Sequence, residues 1–193
     1  MTVENNPGFS SRQALPPHYR RFYNRFIRFS CVMIFFALIA GILFQESTRK
    51  VSFDSIAPGI HWEAVYHLAL LHGHAFLIGV LLPLAILVML HLVLQLGGKT
   101  LSAKTLHWGG LLYQLGAISA ILLMLYKGYH YVLSVRMGTL DFAFIHHSFF
   151  AGQEILRHVI YGLSHVAMSV GLGIFAVAIW RALPKPSDEL SDG

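Results

Sequence analysis

Residues 66–80 read YHLALLHGHAFLIGV, a stretch apolar enough to lie in a membrane that nevertheless contains three histidines. No Asp, Glu, Lys or Arg occurs between Glu63 and Lys99. A helix needs roughly 20 apolar residues to cross a bilayer, so this interval predicts a membrane-spanning helix. Its histidines need a physical reason, because a leucine would enter lipid at lower cost.

Three further charge-free intervals flank this one, between Arg28 and Glu46, between Lys104 and Lys127, and between Arg157 and Arg181. Backbone polar groups in lipid must be satisfied internally, so each interval predicts a helix. The sequence therefore predicts an all-α integral membrane four-helix bundle over residues 26–182. The expected spans are about 26–45, 66–95, 105–133 and 156–181, with polar tails at 1–25 and 183–193.

The composition agrees with a lipid-facing surface. The 193 residues are 55% hydrophobic and only 12% charged, whereas a soluble domain carries about a quarter charged residues. The basic residues lie at the ends of the apolar runs, so nucleic acid is not an expected partner. Cys31 is the single cysteine, which excludes an internal disulfide and covalent c-type haem attachment.

The basic residues also predict an orientation, since four spans put both termini on one side. That side carries nine Lys and Arg residues and the opposite side five. The excess favours cytoplasmic termini.

With this orientation, nine of the twelve histidines lie toward the outer side. His67 and His74 are seven residues apart in the second span, and His158 and His165 repeat that spacing in the fourth. Seven residues are two helical turns, so each pair shares a helix face. If both helices start at similar depth, His67 is level with His158 and His74 with His165.

An imidazole inside lipid needs partners for its ring nitrogens. Hydrogen bonds between helices would satisfy it, and so would coordination to a metal. Haem iron suits the second alternative, because helical bundles hold such cofactors between facing histidines.

Four segments in order carry a family resemblance: YNRF…FFALIAGILFQE, LLHGHAFLIGVLLPL, GGLLYQLGAISAILLMLYKGYHY and GLSHVAMSVGLGIFAVAI. Over about residues 23–181 the chain resembles a small bacterial family of four-helix membrane proteins. That family's fold is similar to part of haem–copper oxidase subunit I. The matching motifs are H-x-H at His72 and His74, G-L-x-H ending at His165, and a histidine late in the third helix, His130.

The resemblance implies that His74 and His165 are haem ligands, and several neighbours have open roles. His72 either hydrogen-bonds a neighbouring helix or is itself the ligand with His74 as support. His130 is a ligand or the partner of one. His67 and His158 are candidates for a second, shallower metal site. Arg157 is a candidate partner for haem propionates, together with Lys127, Arg136, Arg49 and Lys50.

Three functions remain open. The first is a b-type haem protein of the bacterial inner membrane, acting in electron transfer or in binding NO or O2 at the outer half of the bilayer. The second is binding or transport of copper or zinc. The third is a non-catalytic subunit or assembly partner of a respiratory complex. An enzymatic activity, if present, would be that of an oxidoreductase. The expected partners are the lipid bilayer, a membrane or periplasmic redox protein, and a second copy of the chain.

Overall fold

The computed structural model of the chain describes residues 15–50 and 60–184, and of Ile60 and His61 only the backbone. Much of the two predicted polar tails, and the residues between the first two helices, lie outside these ranges. The described part is helical throughout and contains no strand.

Four long helices and one short one make up the fold. Helix α1 spans Pro17–Lys50. Helix α2 begins as Ile60–Phe76, passes through a π-helical segment Leu77–Leu81 and continues as Leu82–Gln95. Helix α3 spans Ala103–Arg136, and the short α4 spans Phe142–Ser148. A 3-10 turn, Phe149–Gly152, leads into α5, which spans Glu154–Ala182.

The four long helices, α1, α2, α3 and α5, are each long and apolar enough to cross a membrane. Helix α1 begins at Pro17 rather than near residue 26, because Tyr19, Phe22 and Phe26 recur at helical spacing and are buried in the bundle. The segment between the third and fourth predicted spans contains α4. Asp141 starts that helix by accepting a hydrogen bond from the backbone N–H of Phe144.

Consecutive long helices run antiparallel, so the bundle has two ends. The terminal end holds the start of α1 and the end of α5, and the α4 end holds α4 and the turns around it. Helix α1 packs on α2, α2 on α3, and α3 on α5. Glycines permit the last contact: a Cβ on Gly116 would meet the backbone of Ser164 and Met168, and one on Gly171 would meet that of Tyr113.

The π-helical segment precedes Pro83, which cannot donate a backbone hydrogen bond within α2. The Tyr113 hydroxyl of α3 donates to the carbonyl of Ile78 inside this segment. The hydrogen bond ties the middle of α2 to α3 where the regular helical ladder changes.

We expect Tyr113→Phe to lower the free energy of unfolding by about 1–2 kcal/mol, because the Ile78 carbonyl would lose its buried donor. Thermal unfolding in detergent measures the effect. Tyr126→Phe is the control, since the Tyr126 side chain is exposed and its hydroxyl has no hydrogen bond to a described residue. Equal stabilities of the two variants would contradict the assignment.

Candidate functional site

Helices α2 and α5 both pack on α3. The space between them toward the α4 end is called the α2–α5 groove. Gly128 of α3 packs against Leu68 of α2, and Gly116 of α3 packs against Ser164 and Met168 of α5. The first part of α2, Ile60–Phe76, makes almost no contact with α5, whereas the last part packs against it. The two helices therefore diverge toward the α4 end and leave this α2–α5 groove.

The two predicted haem ligands lie on the two helices that border this space, His74 on α2 and His165 on α5. The His67 ring is 4.7 Å from the Tyr131 ring of α3, and His74 lies two turns further along the same face of α2. On α5, the His165 ring lies nearly parallel to the Tyr161 ring, 6.5 Å away. The Tyr161 hydroxyl donates to the carbonyl of Leu123 on α3. His74 and His165 are both exposed.

The depths of these histidines differ from the expectation of equal level. If Leu68 is taken as level with Gly128, and Gly116 with the turn between Ser164 and Met168, His165 lies about one helical turn deeper than His74. His74 is then between His158 and His165 in depth. The offset arises because α2 projects further at the α4 end than α5 does, and α4 fills the difference.

Three of the groove histidines have the same ring nitrogen engaged. The Nδ1–H groups of His74, His158 and His165 donate to the carbonyls of Leu70, Glu154 and Tyr161, at 2.9, 2.8 and 2.8 Å. Each carbonyl lies four residues earlier in the same helix. This bond fixes the neutral tautomer, so the lone pair is on Nε2. Among the described residues, none donates a hydrogen bond to these Nε2 atoms. Each of these Nε2 atoms can therefore accept a hydrogen bond or bind a metal ion.

His72 and His130 are instead engaged between helices. His72 Nδ1 donates to the carbonyl of Ala37 on α1 at 2.8 Å, and its ring lies against Gly41. His130 Nε2 donates to the carbonyl of Ile145 on α4 at 3.0 Å and lies 3.2 Å from Ser148 Oγ. For His72, the hydrogen-bonding alternative is the one present in the structure. Both imidazoles join neighbouring helices.

A cavity of about 170 Å³ lies beside α4, between α3 and α5. Its lining comprises Lys127, His146, Phe149, Arg157, His158 and Tyr161. The buried Arg157 guanidinium donates from Nη1 to the carbonyl of His146 at 2.9 Å, and its Nη2 lies 3.9 Å from Glu154. Two cations, Arg157 and Lys127, thus border the cavity against a single carboxylate.

Sequence reasoning gave Tyr161 no role, although it lies four residues before His165 and so on the same helix face. That spacing was the available signal. The contact of Tyr161 with α3 and the His165 ring could be known only from the packing of α5.

His146, on α4, is held against this 170 Å³ cavity by a 3.2 Å hydrogen bond between its Nδ1 and the Tyr131 hydroxyl. Burial lowers the pKa of His146, the charges of Arg157, Lys127 and His147 lower it further, and Glu154 partly opposes them. The unfolded chain therefore binds a proton more readily than the folded chain. The free energy of unfolding is therefore not reduced by His146 above the ordinary histidine pKa of about 6.5, and it decreases as the pH falls below that value.

We expect acidification from pH 7.5 to pH 5.5 to lower the melting temperature of the wild type more than that of His146→Gln, which cannot take up the proton. Circular dichroism in detergent at both pH values measures the difference. His91→Gln, at the terminal end, is the control and should follow the wild type. An identical pH response of His146→Gln would show that His146 does not carry the effect.

Within residues 15–50 and 60–184, no group of three or more His, Cys, Asp or Glu side chains is arranged to hold a metal ion. The closest acidic pairing of a histidine is His147 Nδ1 with Glu154 at 2.8 Å.

One family model, described as "Protein of unknown function (DUF2871)", matches residues 23–182. No curated protein matches the chain, and neither does any solved structure. The comparisons thus give no link to haem–copper oxidase subunit I, and that part of the resemblance remains an expectation.

Proposed function

We propose that this chain, which belongs to the family described as "Protein of unknown function (DUF2871)", binds haem b in the α2–α5 groove through His74 and His165. Its function is then electron transfer, or the binding of a small gas such as NO or O2, in a membrane.

The observation that carries the proposal is the shared state of the two imidazoles. Each donates from Nδ1 to its own helix, which leaves the Nε2 lone pair without a partner. A porphyrin already supplies four nitrogen ligands to iron, so one or two imidazoles complete its coordination. Haem therefore suits a groove that offers paired histidines rather than a cluster of three.

The basic end of the groove supports the same ligand. Haem b carries two propionates, and Arg157 and Lys127 border the cavity at the α4 end. A guanidinium can bind a carboxylate through two parallel hydrogen bonds. The Arg157 Nη1 atom is held by the His146 carbonyl, which orients the side chain.

Haem would supply a one-electron iron couple, and the chain would supply its ligands and surroundings. Two axial imidazoles favour electron transfer, whereas one imidazole and an open position favour gas binding. Which of these functions holds depends on whether both histidines bind at once.

We also propose that the termini face the cytoplasm and that the groove opens toward the outer face of a bacterial inner membrane. The support is the excess of Lys and Arg on the terminal side, nine against five. The haem would then be accessible to a membrane or periplasmic redox partner.

The direct test is the haem content of protein purified in detergent from haem-sufficient cells. We expect stoichiometric, non-covalent haem b and a reduced-minus-oxidised spectrum typical of a b-type cytochrome. A colourless protein that remains colourless after addition of haem would end the proposal.

A second candidate function has one observation in its favour. Helix α5 is the least buried of the four long helices, with 17% of its most apolar stretch buried. That face suits contact with lipid, a second copy or another membrane subunit. If the chain is only a subunit or assembly partner, His74→Leu will change partner binding or stability with no spectral consequence.

A further inference from the structure

A second cavity lies at the terminal end, between the start of α1 and the start of α3, and has a volume of about 290 Å³. Four of its seven lining residues are basic or histidine. The lining comprises His18, Arg21, Phe22, Arg25, Ala103, Leu106 and His107. We call it the basic cavity. It shares no residue with the α2–α5 groove, and its argument is independent of haem.

Arg25 is the unusual side chain of this cavity. Its Nε and Nη2 atoms are buried and have no hydrogen-bond partner. The guanidinium carbon lies 5.9 Å from the ring centres of both Phe22 and Phe26, close enough for cation–π attraction. Gly110 of α3 leaves the space for it, since a Cβ there would collide with Arg25 Nη2. The packing holds the charge in place without neutralising it.

No carboxylate balances the basic cavity among the described residues. The ion pairs among the described residues use Glu46 and Glu154, and both of these carboxylates lie at the α4 end. The His18 Nε2–H donates to the carbonyl of Leu101 at 3.1 Å. A guanidinium with two buried, unpaired nitrogens is costly, and an anion on the cavity side of this side chain would offset its charge.

We propose that the basic cavity binds a phosphate group, with Arg25 and Arg21 as its principal ligands. The planar guanidinium matches phosphate oxygens through two parallel hydrogen bonds. Aliphatic and aromatic walls at Leu106 and Phe22 leave room for an organic substituent beside the phosphate.

The position of the cavity favours a lipid as the source of that phosphate. The 34 residues of α1 span about 50 Å at 1.5 Å per residue, whereas the hydrocarbon core is about 30 Å thick. The first turns of α1 thus reach the headgroup layer. Basic cavities between membrane helices on the cytoplasmic side, where the proposed orientation places this one, bind anionic headgroups.

The test is a lipid titration of full-length protein in a zwitterionic detergent, followed by its melting temperature. We expect phosphatidylglycerol to raise the melting temperature more than phosphatidylcholine, whose choline cation offsets the charge of its phosphate. Arg25→Gln should shift the phosphatidylglycerol midpoint by about tenfold, the worth of a charged hydrogen bond. Arg20→Gln is the matched control, because Arg20 is exposed at the same end and does not line the cavity.

Inorganic phosphate forms the second arm of the experiment. If millimolar phosphate raises the melting temperature of the wild type but not that of Arg25→Gln, the phosphate site is supported and its source is soluble. Equal responses of Arg25→Gln and Arg20→Gln, or no response of the wild type to either compound, would overturn the proposal. If Arg25→Gln does not fold, Arg21→Gln serves instead, since Arg21 lines the same cavity and is exposed.

Discussion

Replacing either His74 or His165 with alanine lowers the bound haem by about tenfold or more and shifts the absorption of what remains, if the two imidazoles are its axial ligands. Replacing His72 or His130 leaves the spectrum intact. The contrast follows from the ring nitrogens, because the latter pair donate across helices to Ala37 and Ile145. Their Ala variants should instead lose about 0.5–1.5 kcal/mol of stability, because each would lose one hydrogen bond between helices.

Reduced-minus-oxidised spectra and haem-to-protein ratios of the four variants check this prediction. His158→Ala belongs in the same series, since His74 lies between His158 and His165 in depth and His158 also has an unengaged Nε2. We expect it to keep its haem. A loss of haem in His158→Ala but not in His165→Ala would place the α5 ligand two helical turns closer to the α4 end.

Replacing Gly116 with valine destabilises the protein by about 3 kcal/mol or more, because the new Cβ meets backbone atoms that cannot rotate away. The atoms concerned are the Met168 nitrogen and the Ser164 carbonyl oxygen of α5. Helices α3 and α5 would have to separate, and His165 would move with α5. This variant should therefore have a lower melting temperature and a lower haem content than the wild type.

Gly162→Val is the matched control for this prediction. Gly162 lies on the same helix pair, but nothing approaches the position of its Cβ within 4 Å. It should fold like the wild type or slightly better, since valine is a better helix former than glycine. Similar melting temperatures for the two valine variants, measured in the same detergent, would show that the α3–α5 contact is not the close one described.

The four long helices were predictable because intervals without charged residues mark membrane spans directly. The start of α1 was not, because the tail containing Tyr19 and Phe22 is polar on average and is helical only through its packing in the bundle. Helix α4 was also missed. At seven residues it is too short for periodicity to identify, and its docking depends on Arg157 and His130 of other helices.

The sequence predicts which histidines share a helix face, but it does not predict which residues of other helices they contact. Seven-residue spacing correctly gives His67 and His74 one face, since helical geometry alone decides that. The relative depth of α2 and α5 depends on how glycines 116 and 128 set the two helices against α3. No spacing within a single helix contains that information. The same holds for His72, whose partner carbonyl lies on α1.

Electron paramagnetic resonance of the oxidised protein tests the central claim most directly. Two imidazoles on ferric haem give a low-spin signal. With both histidines bound, the account predicts this signal in the wild type and its disappearance in the His74→Ala/His165→Ala double variant. An unchanged low-spin signal in the double variant, or no haem signal in wild-type protein after addition of haem, would contradict it.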